Sequence, residues 1–561
     1  MDITRRMALT GGLIGLAACE TTGRGRAREE SPARFAWGVA SGDPAPDSVV
    51  LWTRAEPLAG DAARGVVEVA EDEGFEAVVW SAPFEATPAT DYTVKVVPTG
   101  LKPGGRYHYR FRAGGTQIAG RTRTLPARAD RARFAVVSCS NYPFGHFNAY
   151  AAIAREEIDA VIHLGDYIYE YGADGYGGKV GERLGRTHAP AKECVTLDEY
   201  RVRHRQYKTD AGSWAMHAAM PLIAVWDDHE TANNSWEGGA QNHQPDEGDW
   251  GARERAALQA YYEYMPVREP DADPEALFRS YEWGGLVTLA AIETRLTARS
   301  KQFEYDEVLP ELTSPRAIAA WREETLGAED RRMMGTAQED FLARTFSRSK
   351  ERGVPWRLVA NQVIMARVTA PDLAPHLTDA DITAIETEWD QIRAFVRFTS
   401  LGLPLNLDAW DGYPAARARL FERAREAGAA DLLVLTGDTH ESWANSLHDE
   451  DGTPMGTELG VTGVSSPGPT GYLKGRARDY SLLLRQQNPE VRWHATDGNG
   501  YIDLILTPEG GEAAYVMVDT LEREDPGTTV RARFALRREG GTVALAEPEG
   551  LAEDELALFQ A

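Results

Sequence analysis

Four apolar runs in the second part of this chain each stop at a short polar signature. Phe134-Ala135-Val136-Val137 stops at Ser138-Cys139-Ser140, and Ala160-Val161-Ile162-His163-Leu164 stops at Gly165-Asp166-Tyr167-Ile168-Tyr169. Pro221 to Trp226 runs into Asp227-Asp228-His229-Glu230, and Asp431 to Thr436 into Gly437-Asp438-Thr439-His440. Continuous apolar runs of this length read as strands buried on both faces. A helical stretch from Asn148 to Glu157 separates the first two, which makes a strand–helix–strand unit. In such sheets ligands collect beyond the carboxyl ends of the strands, where loops and helix N-termini converge. Taken singly, each signature has an ordinary structural reading: a capped Gly-Asp turn, a satisfied histidine, or a small buried cysteine in the core. Their common position after apolar runs is what points to chemistry, because it places oxygen, nitrogen and sulfur donors at one sheet edge.

A β-rich region precedes this α/β part. Ser48 to Trp52, Gly65 to Ala70, Ala77 to Trp80, Tyr92 to Val97 and Tyr107 to Arg112 alternate with turn residues at the spacing of an antiparallel sandwich. Leu101-Lys102-Pro103-Gly104-Gly105-Arg106-Tyr107 resembles the tyrosine corner of fibronectin type III and immunoglobulin-like modules. Asp43, in Ala40-Ser41-Gly42-Asp43-Pro44, reads as a turn cap. The polar stretch Thr124 to Asp130 reads as a linker. The expected organisation is a signal segment over 1–27, a β-sandwich over 33–126, an α/β catalytic domain over 131–520 and a C-terminal extension over 521–561. Within that extension Glu553 to Ala561 reads as a short helix lying over the site.

The first residues read as an address. Thr4-Arg5-Arg6-Met7-Ala8-Leu9 carries paired arginines ahead of the apolar run Ala8 to Ala18. That run is shorter than the about 20 residues needed to cross a bilayer. It resembles a twin-arginine export signal, with a general secretory signal as the alternative. Leu16-Ala17-Ala18-Cys19 also looks like a lipobox whose cysteine takes a lipid anchor. Either route leads to the periplasm or the cell surface.

Charge narrows the partners. The chain of 561 residues holds 86 acidic and 60 basic residues, a formal net charge of −26. That field repels nucleic acid, so no nucleic-acid-binding surface is expected. It also repels phosphate esters, so a phosphate site would need local positive charge, most simply metal cations. Three cysteines, Cys19, Cys139 and Cys194, are too few for a disulfide framework.

The motifs Gly-Asp-x-x-Tyr, Trp-Asp-Asp-His-Glu-x-x-Asn and Gly-Asp-x-His, preceded by a strand ending in Ser-Cys, resemble the PhoD-like alkaline phosphatases and phosphodiesterases. These form part of the calcineurin-like metallophosphoesterases. The resemblance covers roughly residues 33 to 520 and implies a metallophosphoesterase α/β sandwich behind the β-sandwich. It implies a ferric ion held by Cys139, Asp166, Tyr169 and His440, and two calcium ions near Asp166, Asp438, Asn233 and one of the paired aspartates. Asp228 is preferred to Asp227, because it aligns with the metal-binding asparagine of the superfamily. His229 aligns with the histidine that contacts the scissile ester. Thiolate and phenolate suit ferric iron, and carboxylates with an amide carbonyl suit calcium. The implied reaction is attack on phosphorus by a metal-bound oxo or hydroxide, with His229 stabilising the transition state or protonating the leaving oxygen.

Other positions stay open. Arg295, in Glu293-Thr294-Arg295, contacts substrate phosphate or forms a structural ion pair. The segments Tyr171 to Pro190 and Trp236 to Trp250 are expected to shape the mouth of the site. The substrates are small or polymeric phosphate esters. The alternatives are a phosphodiesterase with phospholipase D-like action and a non-catalytic surface lipoprotein that binds phosphorylated polymers.

Overall fold

The structure, a computed structural model, describes residues 30–270, 273–387, 391–468 and 476–560. The paired arginines and Cys19 lie outside the described residues. Two sheets face each other. The first has ten strands, with Ala132–Val137, Ala160–His163 and Pro221–Ala224 side by side and parallel at its centre. The second has seven strands and carries Leu432–Thr436 between Trp356–Ala360 and Pro454–Gly460.

Strand periodicity sorts the side chains. Phe134, Val136, Ile162 and Ile223 enter the core between the sheets, where they meet Leu358, Leu433 and Leu435 of the second sheet. The alternate residues Ala135, Val137, Val161 and Leu222 face outward onto Tyr150, Tyr200, Met216 and Ala257 of the covering helices. Leu432 and Val434 likewise face outward onto Leu342, Phe346, Leu420 and Phe421. The result is a helix–sheet–sheet–helix sandwich, which explains why these strands read as unbroken apolar runs.

The expected sandwich strands form, with Thr116–Arg123 added as a hairpin partner of Arg106–Ala113. One layer of that sandwich is the four-stranded sheet of Val78–Ala86, Ala63–Ala70, Arg106–Ala113 and Thr116–Arg123. The other layer, Val39–Gly42, Val50–Arg54 and Thr93–Val96, is continuous with the ten-stranded sheet through parallel pairing of Val39–Gly42 with Pro221–Ala224. The tyrosine corner is present: Lys102 N donates to Tyr107 Oη at 2.8 Å.

Asp43 is not a local turn cap. It is buried, and it accepts from Arg268 N at 2.8 Å, from Tyr281 Oη at 2.9 Å and from the Arg279 guanidinium. It therefore ties the sandwich to the α/β part across the sequence.

Past residue 520, the strands Thr528–Glu539 and Thr542–Glu549 extend the first sheet. The helix Glu553–Gln560 forms as expected but packs on Ala477–Gln487 and Val491–Ala495, with Phe559 in the inter-sheet core against Phe534, rather than lying over the site. No helix among the described residues is long and apolar enough to cross a membrane.

Candidate functional site

Register brings the polar signatures together. Val137 pairs with His163, and His163 with Ala224, so the three strands end level. The next residues of each chain segment therefore emerge at one edge. The loops are tied to each other: Cys139 N donates to Gly165 O at 3.1 Å, and Ser140 N to Asp166 O at 2.9 Å. Space is tight enough to demand glycine before Asp166 and before Asp438. A Cβ on Gly165 would lie 2.4 Å from Asp227 N, and one on Gly437 would lie 2.6 Å from Ser138 Oγ. Cys139, Asp166, Asn234, Asp438 and His440 all hold positive φ, between 51 and 63°. Such backbone conformations are costly for non-glycine residues and concentrate at working sites.

Three overlapping groups of potential metal ligands result, each with its ligand atoms within 4.8 Å of one another. They are Cys139 with Asp166 and His440, Asp166 with Asp228 and His229, and Asp227 with Asp228 and Asp438. Asp166 belongs to the first two and Asp228 to the last two, so a carboxylate joins each neighbouring pair of groups. Tyr169 Oη lies 3.1 Å from both Asp166 Oδ2 and His440 Nε2, and Ser466 Oγ donates to it at 2.7 Å. His440 Nδ1 stands 3.1 Å from Pro467 O, so the ring carries its proton there and turns a bare Nε2 to the site.

Charge explains what such a site needs. Burial pushes the Asp166 and Asp227 carboxyls well above their usual range, and burial with Asp408 nearby takes Asp438 to about 7. Burial opposes ionisation of Asp228 too, but Arg295 and His229 hold its carboxyl below the ordinary value. The Arg295 guanidinium is fully buried, donates to Asp227 and to Asp408 at 2.8 Å, and has Asp438 at 3.5 Å and Asp228 at 3.7 Å. Every direction from Arg295 thus ends on a carboxylate. Burial and the Asp166 charge keep the Cys139 thiol protonated, whereas burial takes His440 down to about 4 and leaves it neutral. Asp227 Oδ2 is buried with no hydrogen-bond partner. Buried acids that outnumber their cations, an orphaned carboxylate oxygen and a neutral imidazole fit a bound cation, which would also drive off the thiol proton.

His229 has its own partner. Its Nδ1 lies 2.8 Å from Glu170 Oε2, while Glu170 Oε1 accepts from Asn233 N and from Asn242 Nδ2, each at 2.8 Å. Burial disfavours the imidazolium, but Asp228, Glu170 and Asp166 outweigh it and raise its pKa well above the ordinary value. Asn233 sits at the rim, where its Nδ2 donates to Gln241 Oε1 at 2.5 Å. Both mouth segments reach the site: the Tyr171 ring is 5.4 Å from that of His229, and Asn242 holds Glu170.

Sequence reasoning missed Glu170, Glu230, Asp408 and Ser466. Glu230 accepts the backbone N–H groups of Asp166, Tyr167 and Asp227, which clamps two of the loops together. Glu170 and Glu230 adjoin Tyr169 and His229 in the motifs and could have been found there; Asp408 and Ser466 carry no local signal. Cys139 and Cys194 are both buried free thiols.

Comparison with known proteins points to one family. A family model described as PhoD-like phosphatase matches residues 134–515, and that of the PhoD-like phosphatase N-terminal domain matches residues 18–126. Alkaline phosphatase D of Bacillus subtilis (strain 168) is 34% identical over 528 residues, covering 90% of this chain and 81% of that protein. The solved structure of PhoD superposes with a TM-score of 0.75 at 29% identity, over 94% of this chain and 97% of that one.

Proposed function

The chain belongs to the PhoD-like phosphatase family, and from that membership and the site we propose that it hydrolyses phosphate esters with metal ions bound at the strand ends. A ferric ion would be held by Cys139, Asp166, Tyr169 and His440. Two calcium ions would be held by Asp166, Asp228 and Asp438, with Asn233 at the rim. Cations there would neutralise the phosphate oxygens and make water acidic enough to attack phosphorus. The observation that carries the reading is the sharing of Asp166 and Asp228 between adjacent groups of ligands.

The chain's own residues supply the rest. Glu170 holds His229 Nδ1–H, which leaves Nε2 as the ring atom for substrate, where a protonated imidazole can donate to the leaving oxygen. Glu230 fixes the backbone of Asp166 and Asp227, so their carboxylates are oriented before substrate arrives. Arg295 holds Asp227 and Asp408 in place through its buried guanidinium. The paired arginines and Cys19 support export to the periplasm or cell surface, with a lipid anchor.

The test is hydrolysis of p-nitrophenyl phosphate and of bis-p-nitrophenyl phosphate by purified protein, read beside its elemental analysis. Metal-free protein with undiminished turnover would refute the metal-dependent reading. The ratio of the two rates separates a monoesterase from a diesterase.

A further inference from the structure

A cavity of about 340 Å³ opens beside Asp438, with Asp438 and Thr439 in its wall. His229 and Asp166 are not in that wall, so the cavity lies on the Asp438 side of the ligand groups. Ile364, Val368, Leu405, Ala409, Trp443 and Tyr480 give it a mainly apolar lining. Trp443 is fixed to the site loop, since its Nε1 donates to Thr439 Oγ1 at 2.9 Å. Among the described residues the charged groups in the wall are Asp411, Asp438 and Glu441. Tyr480 also lines a second cavity of about 340 Å³, which has Leu373, Leu377 and Leu483 in its wall.

We propose that this cavity is a subsite for an apolar alkyl or aryl arm on the substrate, so that the enzyme prefers phosphodiesters whose retained alcohol is apolar. The proposal rests on the phosphoesterase reading above and deepens it. An apolar wall gains from covering hydrocarbon, whereas a charged arm end would give up its water there. Because the cavity adjoins Asp438 and not His229, it receives the arm that stays on phosphorus. In the reaction a water oxygen bonds to phosphorus, the bond to the other ester oxygen breaks, and that oxygen leaves with a proton. The products are the alkyl phosphate monoester and the free alcohol.

The experiment compares kcat/KM of the full-length, metal-loaded enzyme on p-nitrophenyl esters of methyl phosphate, hexyl phosphate, phosphorylcholine and a six-carbon arm ending in carboxylate. p-Nitrophenyl phosphate serves as the monoester reference. The hexyl ester is expected to exceed the methyl ester roughly tenfold or more, and the carboxylate arm to lose that gain. Leu405→Trp, which fills the cavity, and Leu405→Asp, which makes its wall acidic, should both bring the hexyl-to-methyl ratio toward one. A ratio near one in the unaltered enzyme, a ratio that neither variant moves, or a preference for the choline ester over the hexyl ester would overturn the subsite. Those results leave the phosphoesterase reading standing, whereas failure to hydrolyse any ester, the monoester included, overturns both.

Discussion

His229 Nδ1 lies 2.8 Å from Glu170 Oε2, and Glu170 is fully buried and held on its other oxygen by Asn233 and Asn242. A histidine fixed this way has one tautomer, one orientation and a stabilised positive charge. It resembles the carboxylate–histidine pairs that orient acids in many hydrolases.

Glu170→Gln keeps the shape but removes the charge facing the ring. We expect kcat to fall roughly 10- to 100-fold, with KM and bound metal close to the unaltered values. Steady-state kinetics with elemental analysis of the same preparation checks this. Unchanged kcat would detach Glu170 from the reaction.

The two buried cysteines should behave differently. Cys139 shares a group with Asp166 and His440, whereas Cys194 lies among Tyr200, Tyr207 and Ile168 in the core beneath the helices. Cys139→Ser should lose iron and most activity, and Cys194→Ser should keep both. Tyr169→Phe should weaken or shift a visible ligand-to-iron band. Equal damage from both cysteine substitutions, or a colourless, iron-free and fully active protein, contradicts the iron assignment.

Calcium should be removable while iron stays. Asp228 and Asp438 offer hard oxygen ligands, with Asp438 partly exposed, and calcium sites of this kind exchange. A calcium chelator is expected to suppress activity reversibly, and Asp438→Asn and Asn233→Ala to raise the calcium concentration that restores it. Titration of activity against free calcium is the measurement, and indifference to chelator and to both variants would argue against calcium.

Stability should fall toward acid because histidines are buried uncharged. Burial, with Lys208 nearby, takes His163 down to about 3, and burial lowers His204 well below its ordinary value. Below about pH 6.5 the unfolded chain takes up protons that the folded one refuses, so each such group lowers stability as pH falls and costs nothing above that point. The slope is about 1.4 kcal/mol per pH unit per histidine. Neither ring nitrogen of His204 has a hydrogen-bond partner, and the ring stacks on Tyr264 at 5.3 Å. His204→Phe should therefore gain on the unaltered protein progressively from pH 7 to 5 in urea unfolding. A constant difference across that range would mean His204 is not held neutral.

Much of this was legible in the sequence because the signals are local. An unbroken apolar run specifies a strand covered on both faces, and the residue after it must emerge at the sheet edge, so Cys139, Asp166, Asp228, Asp438 and His440 could be placed before any coordinates. The tyrosine corner is legible for the same reason, since Tyr107 bonds a backbone group five residues away. Only the tertiary structure decided the rest. Val39–Gly42 joins the sandwich to the catalytic sheet by pairing with Pro221–Ala224, and backbone pairing across that separation leaves no mark on side-chain pattern. Asp408 on Arg295 and Ser466 on Tyr169 are likewise contacts between segments far apart in the chain. Sequence determines what each strand end carries, whereas which distant side chains close around those ends depends on how the two sheets pack.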